Sequence, residues 1–207
     1  MRLTEDAVLL IIDVQQAIDH PSWGIRNNHL MEANIAALLA AWRYGSRPII
    51  HIRHHSREAN STYRPGQRGA EFKAEAAPLA GETVITKHVH SAFIDTDLET
   101  RLRRAGRTQL VITGVITNNS VEATARMAGN LGFDTVVVSD GTATFGRVDY
   151  NGKYHDADDV HALSLANLQG EYAHRQDGGD PGGGGRQGNV RADSSPHHRR
   201  PSTSFMS

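Results

Sequence analysis

Asp13, Lys87 and Ser120 are the side chains whose types could together perform acyl transfer. Asp13 closes the run LLIIDVQQ, Lys87 stands in VITKHVHSAF, and Ser120 lies in VITGVITNNSVEATAR. Each comes just beyond an aliphatic stretch, where a buried parallel strand would end. In a parallel α/β sheet, ligands bind outside the carboxyl ends of the strands. A hydroxyl at the start of a helix meets the positive end of the dipole and backbone N–H groups. Such donors hold a developing oxyanion. A carboxylate within reach would take the nucleophile's proton and return it to the leaving group. An ammonium nearby would hold that carboxylate ionised. Each residue alone has a plainer role: a strand-end Asp caps a turn, a lysine is solvated charge, and a serine N-caps a helix. The three together, at equivalent ends of neighbouring strands, carry the functional reading.

The elements that must position them alternate. Aliphatic runs predict strands over 7–12, 48–52, 84–86, 109–113 and 135–139. Helical spacing predicts helices over 28–44, 96–105, 121–131 and 156–172, three of them followed or closed by Gly45, Gly106 and Gly132. The last rests on Val160, Leu163, Leu165 and Leu168. This alternation implies a three-layer α/β/α domain with a mostly parallel, Rossmann-like sheet. The segment 56–78 has no clean period and contains Pro65, Gly66 and Gly69. It reads either as a pocket wall or as a solvated excursion.

Composition narrows the class. A chain of 207 residues supports one sizeable core. A net charge of -1 gives no electrostatic reason to expect nucleic acid or an anionic membrane as partner. There is no cysteine, which excludes disulfides, thiolate metal sites and a thiol nucleophile. The first apolar run meets Asp13 at once, unlike a signal peptide. No stretch approaches the roughly 20 apolar residues of a membrane span. The expectation is a cytoplasmic protein acting on a small molecule.

The stretches LLIIDVQQ, KHVHSAFIDTDLETRLRRAG, LVITGVITNNSVEATARMAGNLGF and VVVSDGTATF resemble the isochorismatase-like superfamily of cysteine hydrolases. That group includes nicotinamidases, carbamoyl-amide hydrolases, ureidoacrylate-type amidohydrolases and isochorismatases. The resemblance spans about residues 9–173. It implies a catalytic Asp–Lys–Cys triad falling on Asp13, Lys87 and Ser120. It also implies a cis peptide at Val115–Ile116, with the N–H groups of Ile116 and Ser120 as oxyanion donors. Tyr63, Phe93 and Asn119 are the candidate substrate contacts, and a homo-oligomer is expected on the same ground.

The sequence departs from the family pattern in two places. Serine replaces the nucleophilic cysteine, and its hydroxyl is a far weaker acid than a thiol whose reference pKa is about 8.5. Amidase chemistry should therefore be slowed. Isochorismatase-type chemistry, in which the Asp protonates a vinyl ether, escapes that penalty; a ligand-binding pseudoenzyme is the non-catalytic alternative. The second departure begins at His174, where the chain turns to Gly, Ser, Pro and Arg. Residues 174–207 are expected to be a disordered tail, which would leave the sheet without its last edge strand. A reading-frame change near His174 would produce such a shift, and an uninterrupted homologous frame in the gene would rule it out.

Histidines raise the question of metal. HIRHHS offers His51, His54 and His55, but no Asp stands where the metal-binding nicotinamidases carry one. The expectation is polar pocket-wall histidines, with no metal and no cofactor. His88 and His90 read as substrate contacts or surface, and Arg126 as a pocket residue or a partner of Asp140 or another carboxylate.

Overall fold

The computed structural model describes residues 3–176. Its strands are β1 (Val8–Ile12), β2 (Ile49–His54), β3 (Thr83–Lys87), β4 (Gln109–Val115), β5 (Asp134–Ala143), β6 (Arg147–Val148), β7 (Tyr154–His155) and β8 (His174–Gln176). The α-helices are α1 (Met31–Tyr44), α2 (Leu98–Arg104), α3 (Glu122–Asn130) and α4 (Ala157–Leu168). Six strands form one parallel sheet in the order β3-β2-β1-β4-β5-β8, and β6 pairs antiparallel with β7.

Strand alternation sorts the core into two layers. Leu9, Ile11, Val111, Val136 and Val138 face Met31, Ile35, Leu39 and Trp42 of α1. Val8, Leu10, Ile12, Ile50, Ile52, Ile112 and Val137 face Leu98 and Leu102 of α2, Ala125 and Ala128 of α3, and Leu165 and Leu168 of α4. The three-layer expectation therefore holds. Among the described residues, no helix is long and apolar enough to cross a membrane.

Gly114 fixes how closely β4 can lie against β1. Its φ is +114°, and a Cβ there would stand 2.1 Å from the carbonyl oxygen of Ile12. Only glycine fits both demands. The close approach brings the end of β4 alongside the end of β1, at the point where the strand order turns, the place where open α/β sheets bind ligands.

Several expectations need correction. The chain does not lose structure at His174: the three residues of β8 pair with Val136–Val138 of β5 and supply a short edge strand. Residues 177–207, the rest of the expected tail, lie outside the described residues. The strands bearing Asp13 and Lys87 are not adjacent, since β2 runs between β1 and β3. Leu163 does not belong to the buried stripe of α4 but is exposed, with Leu165 and Leu168 turned inward. The segment 56–78 is a folded wall. It has short 3-10 turns at Arg68–Ala70 and Ala74–Ala76, a bridge from Phe72 to Gln15, and buried Tyr63, Ala70 and Ala76.

Candidate active site

Asp13 follows the last residue of β1 with φ +54°, a left-handed conformation that Asp tolerates better than most residues. Its N–H still donates to Ile52 of β2, so the reversal happens at the sheet's edge of order. The side chain is almost wholly buried. Lys87 ends β3 with its side chain fully buried, and its ammonium lies 2.6 Å from Asp13 Oδ2. Lys87 Nζ also lies 3.1 Å from the Val89 carbonyl, 3.3 Å from Ser120 Oγ and 3.4 Å from His54 Nδ1. The three side chains singled out from sequence therefore meet in one buried cluster.

Ser120 is not the helix N-cap that sequence allowed. It lies inside a π-helical turn, Thr117–Val121, which leads into α3, and the residue preceding α3 is Val121. Such a wide turn, where functional sites often occur, sets Ser120 facing Lys87. The turn is anchored from outside: Thr117 Oγ1 bonds His161 Nδ1 of α4 at 2.9 Å, and Asn118 Oδ1 accepts from Thr144 Oγ1 at 2.6 Å. The Val115–Ile116 peptide is cis, as the resemblance implied. Asn119 is half-buried, and its N–H donates to the Ile116 carbonyl.

Burial pushes the Asp13 carboxyl up from its ordinary value, against the opposing pull of Lys87 and of the nearby Ser120 hydroxyl. Asp13 Oδ2 is taken by Lys87, while Oδ1 is buried with no hydrogen-bond partner among the described residues. An unsatisfied buried oxygen is costly and is rarely kept without use. His54 is pushed down to about 4, first by burial and then by Lys87, so its imidazole stays neutral. Tyr63 is buried against this group: its hydroxyl donates to the Asp13 carbonyl at 3.3 Å, and its ring meets His54 edge-on at 5.5 Å. Burial pushes its phenol well above the ordinary value.

The histidine cluster disperses. His51 is fully buried on the α1 side, with Nε2 2.9 Å from Glu82 Oε2, and so it is a core residue rather than a pocket wall. His55 receives His88 Nδ1 on its carbonyl, while His54 faces Lys87. Among the described residues no group of three His, Cys, Asp or Glu is arranged to hold a metal. Phe93 stacks on Phe133 at 5.7 Å. Arg126 pairs with Glu122 at 2.7 Å rather than with Asp140.

Sequence reasoning passed over Gln15. Its Nε2 donates to the carbonyls of His54 and Ala70, and its Oε1 accepts from the His54 N–H. This clamp ties the end of β1 to the end of β2 and to the wall segment. Its signal was available, because a fully polar glutamine two residues after a strand-end Asp has to satisfy its amide somewhere.

Fold and site together define a parallel α/β protein with a buried carboxylate–ammonium–hydroxyl cluster beyond the strand ends. The isochorismatase domain matches residues 7–173. The uncharacterized isochorismatase family protein YrdC of Bacillus subtilis (strain 168) is 44% identical over 171 residues, covering 83% of this chain and 91% of that protein. A crystal structure from Chromobacterium violaceum ATCC 12472, described as of the isochorismatase family, superposes with a TM-score of 0.85 at 54% identity, covering 87% of this chain and 94% of that one. The ureidoacrylate amidohydrolase RutB of Variovorax paradoxus (strain S110) is 27% identical over 176 residues, covering 68% of this chain and 70% of that protein. The chain belongs to the isochorismatase family, a family of hydrolases.

Proposed function

We propose that this hydrolase cleaves a C–N bond of the amide type in a small molecule, with Ser120 as nucleophile. The observation that carries the reading is the buried contact of Lys87 Nζ with both Asp13 Oδ2 at 2.6 Å and Ser120 Oγ at 3.3 Å. Asp13 serves as acid and base, and Lys87 is its electrostatic partner. The N–H groups of Ile116 and Ser120 receive the oxyanion. Tyr63, Phe93 and Asn119 contact substrate, with Tyr63 best supported by its place against Asp13. The name of the Variovorax relative, an amidohydrolase, favours this bond class. The protein works as a cytoplasmic homo-oligomer with neither metal nor nucleic acid.

A second reading rests on Asp13 itself. Its carboxyl is pushed towards the neutral form and its Oδ1 is unpartnered, which suits protonation of an enol ether without a covalent intermediate. Turnover of small amides and enol ethers by wild type, Asp13→Asn and Ser120→Ala separates the two. Loss of amide turnover in both variants supports the covalent route. Enol-ether turnover lost in Asp13→Asn and kept in Ser120→Ala supports acid catalysis. Wild-type amide turnover that persists in Ser120→Ala contradicts the nucleophile assignment.

A further inference from the structure

The turn that carries Ser120 is not held by its own backbone alone. π-helical geometry is rare and occurs mostly as single turns inserted in α-helices. Here the Ile116 carbonyl is shared between the N–H groups of Asn119 and Val121, at 2.9 and 3.3 Å. The side chains that grip the turn come from α4. His161 Nδ1 lies 2.9 Å from Thr117 Oγ1, three residues before Ser120, and Ser164 Oγ donates to Glu122 Oε2 at 2.6 Å, two residues after it. Three residues apart, His161 and Ser164 lie on one face of α4. We infer that His161 is a positioning residue for the reaction, acting through Thr117 to hold the turn where Ser120 Oγ meets both Lys87 and the substrate carbonyl. The inference rests on the covalent reading above and adds a residue outside the Asp13–Lys87–Ser120 cluster.

Burial makes this bond matter. Thr117 is fully buried, so its hydroxyl has to find a partner inside the protein, and the imidazole is that partner. The other ring nitrogen, Nε2, faces Asn28 Nδ2 at 3.5 Å. Asn28 in turn donates to the carbonyls of Ser139 and Thr142 at 2.8 and 2.6 Å, where β5 bulges. The ring therefore sits between a braced segment of β5 and the nucleophile's turn. Leu165 and Leu168, buried on α4, keep the helix itself in place.

Small movements of the turn count because the contact it serves is long. Ser120 Oγ stands 3.3 Å from Lys87 Nζ, near the outer limit of a hydrogen bond. A misplacement on the order of 1 Å costs about a hundredfold in rate. Without its anchor the turn would drift, while Asp13, Lys87 and Tyr63, set by other elements, stay in place. The loss would fall on the chemical step, lowering kcat with KM little changed. A histidine that merely stabilises the core predicts something else: rate lost only in proportion to folded protein lost.

A fluorophosphonate probe reads the nucleophile directly. Ser120 Oγ would displace fluoride from phosphorus, its proton passing to Asp13, and peptide mass spectrometry locates the adduct on the full-length protein. Thr117→Val keeps the volume and removes the hydroxyl. It and His161→Leu, each confirmed folded by circular dichroism, should slow labelling at least about tenfold. Thr117→Ser should stay within about threefold of wild type, and so should Leu165→Ala, which loosens α4 without touching the bond. The double variant Thr117→Val with His161→Leu should be no slower than the slower single one, as two halves of one contact require. Labelling of Thr117→Val at the wild-type rate overturns the inference, and so does an equal slowing by Leu165→Ala. If His161→Leu does not fold, the Thr117 variants decide. A folded wild type that takes no label overturns the covalent reading, and amide hydrogen exchange then judges the inference alone. Faster exchange in Thr117→Val confined to residues 115–122 upholds the hold on the turn, and unchanged exchange overturns it.

Discussion

Lys87 Nζ lies 2.6 Å from Asp13 Oδ2, with the lysine side chain fully buried and the aspartate nearly so. Two groups delivered by strands that do not touch are thus held at contact distance by the intervening strand and the turn after β1. Breaking a buried pair from one side strands the other partner. Lys87→Met should destabilise the protein by about 3 kcal/mol at neutral pH in denaturant unfolding. Because the remaining Asp13 carboxyl is easier to bury when protonated, that loss should shrink as pH falls. A loss that grows at acid pH would contradict the pairing.

Gly114 is the sharpest structural test. Gly114→Ala must place a methyl against the Ile12 carbonyl, within 2.1 Å, at a φ of +114°. One of the strands has to move, and both lead to the site. The expected cost is on the order of 3–5 kcal/mol in thermal or denaturant unfolding, comparable to a severe core overpacking.

Gln15 should matter more than its lack of chemistry suggests. Gln15→Leu removes an amide that serves the backbone of His54 and the Ala70 carbonyl. Buried groups left without partners cost about 1–3 kcal/mol each, so a destabilisation of about 2–4 kcal/mol is expected from urea unfolding. Gln15→Glu should recover little, because the carboxylate cannot donate to the two carbonyls.

Glu82 gives the protein a defined acid sensitivity. Arg43 foremost, with the Leu79 N–H and His51, holds its carboxyl down to about 2 from an ordinary 4.5. A lowered folded-state pKa adds stability that is complete above the unfolded value and disappears as pH falls through the folded one. Glu82→Gln should therefore cost on the order of 2 kcal/mol at pH 7. The gap between variant and wild type should close between about pH 4.5 and 2. A gap of constant size across that range would contradict the ion-pair origin.

Replacing the nucleophile's element is informative in the other direction. Ser120→Cys supplies a thiol whose proton is far easier to remove beside Lys87. Amide turnover per enzyme should rise at least about tenfold, and alkylation by iodoacetamide should localise to residue 120. An unreactive thiol at that position would show that the site no longer activates a nucleophile.

How much of this was legible follows from which signals are local. The strand cores were readable because β1, β4 and β5 carry uninterrupted aliphatic runs with both faces buried. The far end of β5 was hidden: its polar stretch at residues 139–141 bulges away before Thr142 and Ala143 pair again with Gly114 and Val115. The grouping of Asp13, Lys87 and Ser120 came from strand ends together with the family resemblance, and the three side chains do meet. The π-helical turn under Ser120 leaves no mark in the sequence, because it is fixed by His161 and Thr144 from distant segments. The histidines misled as a cluster because spacing along a strand decides their sides. His51 points to the α1 layer and Glu82, while His54, three residues on at the strand's end, reaches Lys87.

Both routes to hydrolysis need the proton carried by one carboxyl group, so the decisive measurement is steady-state turnover by wild type and Asp13→Asn, with folding of each confirmed. A panel of small amides and enol ethers supplies the substrates. The expected result is that wild type hydrolyses at least one member and that the same substrate is turned over at least about a hundredfold more slowly by Asp13→Asn. Turnover by Asp13→Asn at the wild-type rate would contradict a hydrolytic site centred on Asp13.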